Sequence, residues 1–112
     1  MKNVEFTLLL DFYAPMLTEK QREIMDLYYD QDLSLAEIAD NYGITRQAVQ
    51  DSIKRSEKTL LSLEEKLGML KKHMVMLSGL EESIDLYERN ELKELIIRLR
   101  KLKEDWEDTD GI

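Results

Sequence analysis

Apolar residues recur along this chain at the three- and four-residue spacing of amphipathic α-helices, and no segment alternates as a half-buried β-strand does. The first apolar segment runs from Val4 to Tyr13 and is apolar at positions 4, 6, 8, 9, 10, 12 and 13. We expect it to form a largely buried helix that ends at Pro15, because the residue before a proline is pushed out of the α region. About five helices can be read in this way, so the pattern predicts an all-α protein.

A capping box at Thr18–Gln21 predicts the start of the second helix. In this motif a hydroxyl accepts from a first-turn amide, and the Gln side chain accepts in return from the amide of the cap residue. The polar residues 30–32 then interrupt the pattern. The inner face of this helix should consist of Ile24, Leu27 and Tyr28.

A second capping box, Ser34–Glu37, opens a segment with the spacing of a helix-turn-helix over residues 35–54. Two helices that cross steeply need a small residue at the crossing, which Ala39 supplies, and then a tight turn. Gly43 can adopt the positive φ that such a turn requires, and Ile44 can fill the space beneath it. The inward-facing residues should be Leu35, Ile38, Ala39 and Tyr42 on the first helix and Val49 and Ile53 on the second.

The opposite face of the second helix is polar and basic. Arg and Gln side chains pair with guanine and adenine edges in a major groove, and a helix N-terminus suits a phosphate. Asp51 on the same face would be repelled by phosphate unless it accepts from a cytosine amine or pairs with Lys54 or Arg55. Arg22, beside the turn, is either a further phosphate contact or an ordinary surface residue. A merely solvated helix face and a surface that contacts only protein are the alternatives to a nucleic-acid interface. We expect nucleic-acid contacts from Thr45, Arg46, Gln47, Gln50, Lys54, Arg55 and Lys58.

The C-terminal half carries a heptad-like leucine seam over residues 60–77 and again over residues 92–106. The helix that Thr45 caps has no strong stop before Gly68, or even before residues 78–79. We interpret the seam as two helices folded into an antiparallel hairpin around Ser78 and Gly79, or as a surface for a second subunit, and both can hold. The acidic residues from 104 to 110 should fray.

Composition narrows the possible functions. The net charge of −8 argues against coating of nucleic acid by electrostatics alone, but residues 45–58 carry four basic and two acidic side chains. Cysteine is absent and His73 is the only histidine, so thiolate chemistry and a histidine metal site have no support, and we expect no cofactor. No phosphate loop or nucleophile elbow occurs, so we expect no enzyme. Without a signal peptide or a span of about 20 apolar residues, the chain is expected to be cytoplasmic.

Two resemblances join these motifs. Residues 17–23, 33–45, Val49, Ile53 and Arg55 resemble the promoter-reading C-terminal domain of bacterial sigma factors. More closely, residues 11–13, 17–21, 27–29, 32–35, 37–39 and 46–49, with Asp51, residues 53–55 and residues 57–58, resemble the YlxM family of helix-turn-helix proteins associated with the signal recognition particle. The similarity extends from about Phe6 to Leu67.

The resemblance implies an accessory role in protein targeting, with the small RNA of the particle and its GTPase Ffh as expected partners. An inserted helix reads the deep, narrow major groove of A-form RNA poorly, so an RNA would be bound through phosphates, a loop or a distorted helix. A DNA-binding transcriptional regulator and a protein–protein interaction module are the alternatives. We predict one all-helical domain, with a helix-turn-helix part over residues 1–58 and long helices over residues 59–112.

Overall fold

The computed structural model describes residues 2–108, and over that range the chain is all α, with no strand, as the apolar periodicity predicted. The prediction of a single domain stays a prediction; by its internal contacts the chain divides into compact units of residues 1–66 and 67–112. No helix within residues 2–108 combines the length and apolar character needed to cross a membrane. The α-helices of the described part are α1 (Val4–Tyr13), α2 (Glu19–Met25), α3 (Leu35–Tyr42), α4 (Arg46–Leu67), α5 (Met69–Glu88) and α6 (Leu92–Glu107).

The first unit begins with the predicted helix α1, which starts after the N-cap Asn3. Pro15 lies in a short 3₁₀ turn directly after α1, so the predicted end of this helix is confirmed. The predicted cause is wrong, because Ala14 before the proline stays in the α region with φ −51° and ψ −40°; Pro15 instead lacks the N–H that a continuing helix would use. The capping box at Thr18 is also confirmed: Gln21 N–H donates to Thr18 Oγ1 over 3.2 Å, and Thr18 N–H donates to Gln21 Oε1 over 3.1 Å.

One π-helical turn, Asp26–Asp30, follows α2 and was not predicted. Ile24 and its neighbour Met25 are fully buried, whereas Leu27 and Tyr28, expected on the inner face, are only half-buried. A π turn holds more residues than an α turn and therefore shifts the phase of the helix surface, which a regular 3.6-residue pattern cannot anticipate. The buried apolar core of this unit consists of Leu9, Leu10, Tyr13, Leu17, Ile24, Met25, Ile38, Ala39, Val49, Ile53 and Leu60.

The break between the two long helices lies at Gly68, which adopts φ 62° between α4 and α5. Since α4 ends at Leu67 and α5 begins at Met69, Leu60 and Leu77 do not belong to one continuous helix. The predicted seam over residues 60–77 is therefore wrong as a single stripe.

The predicted hairpin turn at Ser78 and Gly79 is also wrong. Both residues lie inside α5, and the chain reverses at residues 89–91, where Asn90 adopts φ 60°. Glu91 N–H donates to Leu86 O over 2.9 Å and closes this turn. Asn is among the few residues other than Gly that tolerate a positive φ, so Asn90 was the available signal for the turn.

Within the second unit, α5 and α6 form an antiparallel hairpin. An ideal Cβ built on the buried Gly79 would lie 2.5 Å from Leu102 Cδ1, and Arg98 Nε donates to Glu82 Oε2 over 2.6 Å. Gly79 therefore serves as the point of close approach between two helices. The predicted fraying of residues 104–110 concerns in part residues outside the described range, while α6 extends to Glu107.

Candidate nucleic-acid interface

The turn of the helix-turn-helix has the geometry that its sequence predicted. Gly43 adopts φ 62° and ψ 36°, and its N–H donates to Ala39 O. Ile44 N–H donates to the same carbonyl over 3.1 Å. Ile38 and Ala39 are buried, as expected for the inner face of the first helix of the motif.

Thr45 caps the second helix of the motif, α4. Its Oγ1 accepts from Ala48 N–H over 3.0 Å, and its carbonyl accepts from Val49 N–H over 3.1 Å. Because a hydroxyl can accept and donate at once, Thr45 retains its own proton for an incoming acceptor such as a phosphate oxygen. The N-terminus of α4 also carries no acidic residue in its first turn.

The inner face of α4 fixes which residues point outwards. Val49, Ile53, Ser56 and Leu60 are buried at alternating spacings of four and three residues. At about 100° per residue, the helix surface opposite this stripe carries Gln47, Asp51, Lys54 and Lys58. Arg46 and Gln50 lie on one flank of that surface and Arg55 on the other. All seven predicted contact residues are exposed except Gln50, which is half-buried.

Four cations on α4 have no ion-pair partner among residues 2–108: Arg46, Lys54, Arg55 and Lys58. Three of them line a shallow surface groove together with Asp51. The N-terminal half of α4 therefore presents a cluster of uncompensated positive charge on a chain whose net charge is −8.

Asp51 takes a partner that the sequence analysis did not consider. Gln47 Nε2 donates to Asp51 Oδ1 over 2.9 Å, one helical turn away. Neither Lys54 nor Arg55 pairs with it within the described residues. Gln47 must leave this hydrogen bond before its amide can read a base edge, and the bond keeps the Asp51 carboxylate on the outer face.

Two tyrosines join α4 to the preceding elements, and sequence reasoning missed them. Tyr29 donates to Glu57 Oε2, and Tyr13 donates to Glu64 Oε1 over 2.7 Å. Burial, and then the hydrogen bond to Glu57, raise the pKa of the Tyr29 hydroxyl, so it stays a protonated donor. These contacts hold the rotation of α4 about its axis and so direct its basic face outwards.

Arg22 lies apart from this basic cluster. It lines a surface depression together with the carboxylates of Asp11, Glu23, Asp26 and Asp30. Such an acidic setting repels phosphate, so the structure adds no support for the phosphate contact considered for Arg22.

Comparison with known proteins connects this geometry to a family. Residues 1–110 match the model of the UPF0122 family, which is described as "Putative helix-turn-helix protein, YlxM / p13 like". A UPF0122 protein of Desulforamulus reducens is 46% identical over 99 residues, which cover 88% of this chain and 85% of that protein. A UPF0122 protein of Symbiobacterium thermophilum is 42% identical over 104 residues, which cover 89% of this chain and 97% of that protein.

The resemblance seen in the sequence is thereby confirmed, and it extends beyond Leu67 into the C-terminal helices. Helix-turn-helix proteins are a class that binds nucleic acid, with the second helix of the motif as the usual reading element. The chain, with its tight turn at Gly43 and its basic α4, belongs to the UPF0122 family of YlxM-like helix-turn-helix proteins.

Proposed function

We propose that this protein is a cytoplasmic, nucleic-acid-binding accessory protein of the signal recognition particle pathway, and that it binds the small RNA of the particle, the GTPase Ffh, or both. The observation that carries the nucleic-acid part is the cluster of four cations on α4 without ion-pair partners among residues 2–108. The targeting part rests on the YlxM-like family. We propose binding, not catalysis.

Phosphate contacts from Lys54, Lys58 and Arg55 would supply most of the affinity, because neutralising phosphates releases condensed counterions. Thr45 Oγ1 and the free amides at the start of α4 would add a phosphate contact at the end of the helix. On RNA, this surface would lie along a backbone or against a loop, since α4 is too wide for the major groove of an A-form duplex.

The test is a gel-shift titration with the signal recognition particle RNA and, separately, a pull-down with purified Ffh. Lys54→Ala combined with Lys58→Ala should weaken RNA binding and lower the salt slope by roughly one for each phosphate contact removed. Lys20→Ala is the matched control, because Lys20 belongs to α2 and its ammonium lies 5.9 Å from the Tyr42 ring. Absence of saturable binding to both RNA and Ffh would overturn the proposal.

A DNA-binding transcriptional regulator is the second candidate, favoured by the exposed Arg46 and the half-buried Gln50 at the start of α4. Selection from random duplexes should then enrich a defined sequence, and Arg46→Ala should relax the preference at one position. Enrichment of no sequence would exclude this reading. The third candidate, a protein–protein module, predicts that charge reversal at Arg46, Lys54 and Arg55 leaves every interaction intact.

We further propose that the protein acts as a homodimer through its C-terminal helices. On duplex DNA, two recognition helices would then require half-sites about one helical turn apart.

A further inference from the structure

The α5–α6 hairpin carries large apolar side chains that stay exposed among the described residues, although the Lys72 ammonium lies 4.7 Å from the centre of the Trp106 ring. On α5 they recur at spacings of three, four and three residues, and on α6 they start at the first residue of the helix. Their exposed fractions range from 39% for Leu99 to 65% for Tyr87. The members of this surface, which we name the apolar face, are Leu77, Leu80, Ile84 and Tyr87 of α5 and Leu92, Ile96, Leu99 and Trp106 of α6.

Helix geometry puts both stripes on the same side of the hairpin. The two helices face each other at Gly79 on α5 and Leu102 on α6. Measured from these residues, in the direction in which residue numbers increase, the apolar residues lie about 40–160° around their helices. In an antiparallel pair, equal rotations lead to one common side. Glu82 and Arg98 are rotated the other way on their helices and form an ion pair 2.6 Å long, which marks the opposite side of the hairpin.

The apolar face is large enough to hold a stable dimer. Eight large apolar residues, each about half exposed, leave an apolar area that approaches the roughly 800 Å² that one partner contributes to a standard interface. Lys103 lies within the α6 stripe, but its ammonium reaches the edge of the face and pairs with Glu107 over 2.7 Å. A hairpin with one apolar face is also half of a four-helix bundle.

Charges along the two edges of the apolar face indicate which partner fits. The outer edge of α5 carries Glu81 and Glu88, and the outer edge of α6 carries Lys93 and Arg100, followed by Glu104 near the end of the helix. All five side chains are exposed, and none forms an ion pair within residues 2–108. The α5 edge is thus acidic and the α6 edge is basic from Lys93 to Arg100, so the face complements itself over these levels.

A two-fold axis parallel to the helices brings unlike edges together. It sets α5 of one copy beside α6 of the other in antiparallel orientation. Rotation about this axis leaves every residue at the same height along the axis, so the relative height of the two helices is fixed. Because α5 and α6 run antiparallel, a residue of α5 lies at the same height as a residue of α6 when their numbers add up to about 180. Gly79 with Leu102 and Glu82 with Arg98 are two such pairs. Glu88 then lies level with Lys93 of the second copy, and Glu81 with Arg100 of the second copy.

The other two-fold arrangement, with the axis across the hairpin, places α5 against α5 and α6 against α6. It brings Glu81 and Glu88 against the acidic edge of the second copy, and it brings Lys93 and Arg100 against the basic edge of that copy. Like charges in contact are unfavourable, so the edge charges select the axis parallel to the helices.

We infer that the apolar face binds a second copy of this chain about a two-fold axis parallel to α5 and α6, forming a four-helix bundle with Glu88–Lys93 and Glu81–Arg100 ion pairs between copies. This inference rests on the homodimer of the proposed function and deepens it by assigning the face, the axis and the contacts. It is independent of what α4 binds.

Sedimentation equilibrium of the full chain without nucleic acid tests the face. Ile96→Glu should weaken association by more than about 100-fold, because it buries a carboxylate in an apolar interface. Ile97→Glu is the matched control: Ile97 is the next residue, 67% exposed, but it lies off the apolar face and should leave association within about twofold. A monomeric wild type, or equal effects of both substitutions, would overturn the inference.

Charge reversal tests the axis. Glu88→Lys and Lys93→Glu should each weaken the dimer by about fivefold, since each contact occurs twice, and the double variant should return to within about twofold of wild type. Weakening without recovery in the double variant contradicts the parallel axis. RNA binding and association of the wild type separate the two proposals: a dimer that binds neither RNA nor Ffh refutes only the targeting function, whereas a monomer that binds RNA refutes only the dimer.

Discussion

Gly79→Ala is the most informative single change in the second unit. Its Cβ would lie 2.5 Å from Leu102 Cδ1 and 3.2 Å from Arg98 Nη2, where ordinary carbon contacts begin near 3.5 Å. Overpacking of this kind costs about 1–3 kcal/mol, whereas replacing a mid-helix Gly by Ala returns about 1 kcal/mol of helix propensity. We expect a net loss of about 1 kcal/mol in the free energy of unfolding, because Leu102 is only 5% exposed and has little room to move.

A double-mutant cycle with Leu102→Ala makes this prediction decisive. Leu102→Ala alone should cost about 2–4 kcal/mol, but in that background Gly79→Ala should stabilise by about 1 kcal/mol, which gives a coupling of about 2 kcal/mol. The assay is urea unfolding followed by circular dichroism at one fixed protein concentration. Gly43→Ala is the control: beyond its own chain neighbours and helix backbone, no atom of the described residues lies within 4 Å of its Cβ, so its cost comes from φ 62° and should add to that of Leu102→Ala within about 0.5 kcal/mol. Additivity of Gly79→Ala and Leu102→Ala would refute the close approach of α5 and α6 at this point.

Three further changes address the first unit. Ser34→Ala removes the hydroxyl that accepts from Glu37 N–H over 3.1 Å and should cost about 1 kcal/mol by chemical unfolding, whereas Ser34→Thr should preserve most of the cap. Ser56→Ala should be neutral or stabilising by up to about 1 kcal/mol, because the fully buried Ser56 Oγ has no hydrogen-bond partner within residues 2–108; a loss above about 1 kcal/mol would mean that the hydroxyl is satisfied. The hydrogen bond to Asp26, then burial and the Asp26 charge, raise the pKa of Asp30, so the native state holds this proton more tightly and loses stability as pH rises above the unfolded value of 3.8. Asp30→Asn should therefore raise the melting temperature at pH 7 and leave it nearly unchanged at pH 3, and an equal shift at both pH values would contradict the pairing.

The helix-turn-helix was predictable because its constraints are local. Capping boxes at Thr18 and Ser34 involve residues three apart, and Gly43 requires only its own φ and the amide of Ile44. The buried stripe of α4 follows from a regular helical repeat, so the outward direction of Lys54 could be derived from the sequence alone. Patterns of this kind determine local structure because every participating group lies within about one helical turn.

The tertiary structure decided what depends on distant residues. Gly79 reads as a turn in the sequence, and only the approach of Leu102 from another helix shows that it is a crossing point instead. The hydrogen bond from Tyr29 to Glu57 joins residues 28 positions apart, which no local spacing encodes. The sequence by itself determined the all-α class, the motif and the basic face of α4, because periodicity and caps are local. Only the tertiary structure decided where the hairpin reverses and which apolar residues remain exposed, because burial is a property of the whole set of neighbours.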